Sequence, residues 1–299
     1  MDNEYDFEDG NGPVPAHRHK NPGGFIGGWV ADSASVADTA YIGKNARVYG
    51  NAVVLETAQV YGYAKVYGNA EVSGNAEVYE NAWVYKNAKV SGKAWVYGYT
   101  EVCEDASVYG NAVVWGTAQV SGNAKVYGYA RVYGYAEVSG NALVYGNAEV
   151  FGKARVYENA RVYENAQVYG TAWVYGATKV SEDTKISENA LVYGNALVYG
   201  KARVSGKALI YGNAEVFGNA WVYKNAKVSG NARVSGDASV HGNAKVYDNA
   251  KVYGYAFVSG DARVYEYAEV SGNATVLGNA LVRGKCSSEA IIRSSLQGL

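Results

Sequence analysis

From Val30 to Val282 the chain places Val or Ile at every sixth residue, 43 times in succession, with no insertion or deletion. A typical unit is Val66-Tyr67-Gly68-Asn69-Ala70-Glu71. The first position is Val except for Ile42, Ile186 and Ile210, and the fifth is Ala except for Thr100, Thr178, Thr184 and Cys286. So strict a period is the signature of a solenoid, in which each repeat buries its apolar face only against the repeats above and below it. A repeat of this kind grows in one dimension, so 299 residues do not require two globular cores.

Across the unit boundary the order is Ala, a variable residue, Val, then Tyr or Ser. Period-two alternation reads as a short strand with Ala and Val on the buried side. The following Gly-Asn pair ends the strand, since Gly takes positive φ freely and Asn tolerates it next best. Each hexapeptide is then one strand and one corner. Three of them close a triangular coil of 18 residues, which predicts about 14 coils and a rod about 65 to 70 Å long at the usual strand spacing. The interior filled by Val, Ile, Ala, Thr and Cys286 leaves no room for an internal ligand.

The pattern aliphatic-x-x-x-small-x with Gly, Asn or Asp at the corner resembles the hexapeptide-repeat left-handed β-helix proteins over residues 30 to 287. That resemblance implies a single-stranded, left-handed parallel β-helix, all-β apart from the ends. The Gly27-Gly28-Trp29-Val30 opening and the monotonous Tyr-Gly-Asn-Ala units are similar to those of uncharacterised bacterial and phage hexapeptide proteins. The expected organisation is a flexible N-terminal arm over 1–24, the β-helix over 25–287 and a short cap helix over 288–299. The arm carries an acidic start and the basic cluster His17-Arg18-His19-Lys20. Both tails are expected to cap the open strand edges, which otherwise invite end-to-end stacking.

Charge separates function classes. Lys and Arg number 27 against 28 Asp and Glu, a net charge of -1 scattered over outward positions. That is not the basic stripe a phosphate backbone requires, so nucleic acid is not an expected partner. No run is long and apolar enough for a membrane helix, and the start lacks a signal-peptide pattern. The expected location is cytoplasmic or virion-associated. Cys103 points outward and Cys286 inward, about 10 coils apart, so no disulfide joins them.

Enzymes of the family that the repeat resembles are mainly acyltransferases, which use ejected loops and a catalytic His near a groove between subunits. No loop interrupts Val30 to Val282, and His241 stands alone at an outward Tyr/Ser position. The carbonic-anhydrase branch needs three His ligands for zinc. His17 and His19 lie in the arm, far from His241, so neither a metal nor a cofactor is expected and no catalytic residue is nominated.

The outward aromatics do stand out. All six Trp and 21 of the 29 Tyr, those in the position after Val, face outward by this register. Steps of 18 give one column of Tyr61, Tyr79, Tyr97, Trp115, Tyr133, Phe151 and Tyr169, which Trp95 is expected to join. A second runs Tyr109, Tyr127, Tyr145, Tyr163 and a third Tyr157, Tyr175, Tyr193, Tyr211, one on each side of the triangle. Such columns act as stacking ladders between strands or as a binding face. The expected function is a non-enzymatic rigid scaffold that binds a protein or carbohydrate through the longest column and is of phage origin. The alternatives are a self-associating trimer, and an enzyme or small-molecule sequestering protein built on grooves between subunits.

Overall fold

The computed structural model describes residues 4–287 and 289–293. The chain divides into two compact units, Met1–Asn147 and Ala148–Leu299, each a parallel β-solenoid of 18-residue coils with three sheets. In the first unit Trp83 pairs with Glu101, Glu77 with Trp95 and Glu71 with Lys89, one pairing from each sheet and each 18 residues apart. The second unit repeats this with Arg155 on Trp173, Arg161 on Lys179 and Glu149 on Gln167. The regular strands are two residues long, but hydrogen bonding to the next coil extends beyond them. Lys65, Tyr67 and Asn69 donate their N–H groups to Ala82, Val84 and Lys86, a bond at every second residue. Val and Ala point inward, and from Ile42 to Val276 nearly all are wholly buried. Burying one Val side chain is worth about 1.5 to 3 kcal/mol, and the same contact recurs at every strand. Thr100 and Thr178 fit the Ala position because their hydroxyls donate back to the carbonyls of Tyr97 and Tyr175.

From Gly50 to Gly278 each corner has one positive-φ residue, and it is the first of the two corner positions. Gly140 has φ of 66°, whereas Asn141 beside it is not in the left-handed region. The expectation that Asn takes up that region beside Gly is therefore corrected. Asn is used for its side-chain amide instead. Asn51 donates to Asn69 at 3.3 Å, Asn69 to Asn87 at 3.1 Å and Asn87 to Asp105 at 3.0 Å, while Asn195, Asn213, Asn231 and Asn249 form a chain of the same kind. Asp suits the last place because its carboxylate only accepts. Eleven solenoid corners put Glu, Lys or Asp at the positive-φ position, with φ between 57° and 63°, near the left-handed minimum.

The segment expected as a flexible arm is, from Glu4 onward, part of the folded unit. β1 (Glu4–Asp6) and β2 (Pro13–Lys20) pair antiparallel, and β2 pairs antiparallel with β3 (Ile26–Ala31), the first strand of the coil. Phe7 is buried and stacks on Tyr49 at 4.8 Å, and Tyr5 stacks on Trp29 at 4.5 Å. Arg47 bonds to Glu8 at 2.8 Å. The His17-to-Lys20 cluster is taken up in this cap: His17 meets Asp32 at 2.7 Å and buried His19 meets the Ala40 carbonyl at 3.1 Å. Asn21 closes the strand edge by donating to the Ile42 carbonyl and accepting its N–H.

At the other end the register shortens. Cys286 pairs with Val270 and Ile292 with Val276, each 16 residues apart, because only Arg283, Gly284 and Lys285 separate Val282 from Cys286. Cys286 is inward as expected, but in the Val position and not the Ala position. Ile291–Ile292 is a strand where a helix was expected, since the Thr275–Val276 edge offers ladder partners. The rest of that expected helix, Ser288 and residues 294–299, lies outside the described residues.

Candidate binding surface

In the first unit Tyr61, Tyr79, Tyr97, Trp115 and Tyr133 follow the inward Val of one sheet and form a continuous stack. Ring centroids are 4.8 Å apart for Tyr61 and Tyr79, 4.7 Å for Tyr79 and Tyr97, 6.1 Å for Tyr97 and Trp115, and 4.2 Å for Trp115 and Tyr133. All are within 6° of parallel. In the second unit Phe151 and Tyr169 stack at 4.9 Å. The ring faces cover one another, so these side chains are half-buried with only their edges toward water. Burial pushes the Tyr79 phenol up to about 12, and burial together with a 2.7 Å bond to Glu77 pushes Tyr61 up further. These phenols stay neutral at any physiological pH. Trp95 is not in this stack. It precedes the inward Val96, pairs with Glu77 and Val113, and stands in the neighbouring column of the same face.

The second and third expected columns stack as well: Tyr109 on Tyr127 and Tyr127 on Tyr145 at 4.9 Å, and Tyr157, Tyr175, Tyr193 and Tyr211 at 4.8 to 5.1 Å. Another column, Tyr49, Tyr67 and Tyr85, is capped by Phe7. Cys103 follows it one coil on, and burial pushes its thiol up, away from the reactive thiolate. His241 stacks on Tyr223 at 4.6 Å, and neither ring nitrogen has a hydrogen-bond partner. Its pKa is lowered, first by burial and then by Lys224. A neutral ring serves there as a ladder rung. Among the described residues no three His, Cys, Asp or Glu side chains gather as metal ligands.

More exposed aromatics lie elsewhere, in the corner position that Asn usually holds. Tyr63, Tyr99 and Tyr135 are 64%, 68% and 65% exposed. They are 36 residues apart, two coils, on one corner of the first unit, which spaces them about 10 Å apart. Asn81 and Thr117 occupy the intervening coils. Two open hollows result. One, of about 400 Å³, lies between Tyr63 and Tyr99 with Trp83, Lys65 and Glu101 on its wall. The other, of about 410 Å³, lies between Tyr99 and Tyr135 against Trp115. A signal for this row exists in the sequence, Tyr replacing Asn at alternate coils, but the longer column of Val-following tyrosines draws attention from it.

The described surface therefore offers apolar platforms at regular intervals with amide, hydroxyl and charged groups between them. Such an arrangement can hold an extended partner. The model of the YdcK beta solenoid repeat matches the chain at residues 118–134, 154–170, 190–206 and 226–242. Successive matches start 36 residues apart, the length of two coils. No curated protein matches the sequence.

Proposed function

We propose that this chain is a non-enzymatic β-solenoid scaffold that binds an extended carbohydrate along the corner carrying Tyr63, Tyr99 and Tyr135. The observation that supports it most directly is the exposure of three tyrosines on alternate coils of one rigid edge. Exposed apolar surface arranged this regularly is costly to leave uncovered and usually marks an interaction site. Sugar rings present an apolar C–H face to an aromatic side chain and hydroxyls to flanking polar groups, here Asn81, Thr117, Lys65 and Glu101. The half-buried ladder behind them, Tyr61 to Tyr133, stiffens the platform and contributes its edges. Within this proposal the closest functional company is the hexapeptide-repeat β-helix proteins, with phage-borne recognition of bacterial surface glycans as the setting.

Affinity electrophoresis through gels containing bacterial polysaccharides tests the proposal, with molar mass by light scattering measured in parallel. Stacking contacts of about 0.5 to 1.5 kcal/mol per ring imply that changing Tyr63, Tyr99 and Tyr135 together to Ala weakens retention at least tenfold. A ladder variant on another side of the coil, Tyr109→Ser with Tyr127→Ser, which uses the residue the same column holds at Ser73 and Ser91, is expected to keep binding and lose about 1 kcal/mol of stability. Equal retention of the triple variant would refute the carbohydrate reading. A trimeric mass that the triple variant reduces to monomer would instead make the corner a subunit interface.

A further inference from the structure

One ladder of the second unit has a single missing rung. Tyr157, Tyr175, Tyr193 and Tyr211 stack in sequence, and Tyr247 and Tyr265 resume the column at 5.3 Å from each other. Between Tyr211 and Tyr247 the coil carries Ser229, 9% exposed at the floor of a cavity of about 340 Å³. The two tyrosines are two coils apart, about 10 Å. A planar ring placed midway would lie about 5 Å from each, the centroid spacing that the protein's own neighbouring rings adopt. Trp115 shows that a bicyclic ring also fits one rung, with Tyr133 at 4.2 Å.

Charge beside the slot is one-sided. Lys227, Lys245 and Arg263 line it together with one carboxylate, Asp248. Asp248 is committed to the Glu266 N–H at 3.1 Å, and no ion pair among the described residues holds the three cations. They stand two residues along the strand from the ring column, about 7 Å, within reach of an acidic substituent on an inserted ring. A comparable gap at Ser235, between Phe217 and Tyr253, is furnished differently. There the protein's own Arg233 lies 5.2 Å over Phe217 and bonds Glu215 at 3.0 Å. At Ser229 none of the described side chains takes the ring's place.

We infer that the Ser229 slot binds a small planar aromatic anion, the ring completing the tyrosine ladder and the acidic group pairing with Lys227 and Lys245. This site is independent of the carbohydrate proposal, being in the other unit and on different residues. Isothermal titration of the full chain with adenosine 5′-monophosphate and with indole-3-acetate distinguishes a nucleotide from an aryl carboxylate as the ligand. At least one is expected to bind with a dissociation constant below about 1 mM. Ser229→Tyr supplies the missing rung, so it is expected to abolish binding while raising the unfolding midpoint. Lys227→Gln with Lys245→Gln is expected to weaken the anion about tenfold and to leave uncharged adenosine unchanged. Binding of both probes weaker than about 1 mM, or undiminished binding by a folded Ser229→Tyr protein, would overturn the site. An unchanged affinity in the double Lys variant would overturn the pairing with the anion.

Discussion

Two adjacent corners of the second unit, at Glu158 and Glu164, allow the cost of a left-handed backbone to be measured against its compensation. Both residues have φ near 58°, a conformation that costs an L-residue about 1 to 2 kcal/mol. Gly removes that cost and adds about 0.5 to 1 kcal/mol of unfolded-state entropy to overcome. Glu158→Gly should therefore stabilise the protein by roughly 0.5 to 1 kcal/mol. Glu164 differs in one respect: its Oε2 accepts the N–H of Glu182 at 2.8 Å, in the corner of the next coil. Losing that bond costs about 1 kcal/mol, so Glu164→Gly should be close to neutral. Urea unfolding followed by far-ultraviolet circular dichroism reads the two midpoints, in one unit and against one parent. Solenoid unfolding need not be two-state, so the order of midpoints is the readout and not an extrapolated free energy. A lower midpoint for Glu158→Gly, or equal shifts for both variants, would refute the account of why Glu is used at these corners.

His241 and Ala136 give two further tests. The His241 ring has a lowered pKa in the folded protein, so the unfolded chain binds its proton more readily. The stability due to the neutral ring is then complete above the ordinary value of 6.5 and is lost as pH falls toward the lowered folded value. His241→Tyr should remove that fall from a plot of unfolding midpoint against pH, and an unchanged plot would assign the fall to other groups. Ala136 is wholly buried, and Ala136→Leu should overpack the coil by about 1 to 3 kcal/mol, read by the same urea midpoint.

Much of this fold was legible because one constraint repeats. Val and Ala alternate with outward residues so regularly that inward positions, 18-residue pairing and the columns of Tyr61, Tyr109 and Tyr157 followed from arithmetic. What was not legible depends on contacts between coils or with the ends. Gly and Asn both tolerate positive φ, so nothing local tells that Asn141 leaves that role to Gly140 and that Asn instead serves amide chains such as Asn195 to Asn249. The N-terminal residues look unstructured because three prolines and mixed charges hide their alternation; Phe7 finds its place only on Tyr49, and Asn21 only on Ile42. The shortened last coil is set by the strand edge that Cys286 and Ile292 join. For the candidate surface, the ladder was visible in the sequence, but a stack covers its own faces. Exposure at Tyr63, Tyr99 and Tyr135 required the three-dimensional corner.

Because a full coil is three interchangeable hexapeptides, the units of permissible change in this gene are quantised. Gain or loss of 18 residues lengthens or shortens a unit and returns every later side chain to its own face. Gain or loss of six keeps Val inside and Tyr outside, yet shifts all that follows by one side of the triangle. The protein would still fold, but ladders would be cut and recombined: after loss of six residues within the second unit, Tyr193 would stand above Tyr169 in place of Tyr175. Surface pattern and core are thus inherited under different arithmetic, six for the core and 18 for the surface, and a lineage under selection for its surface should vary in length by whole coils.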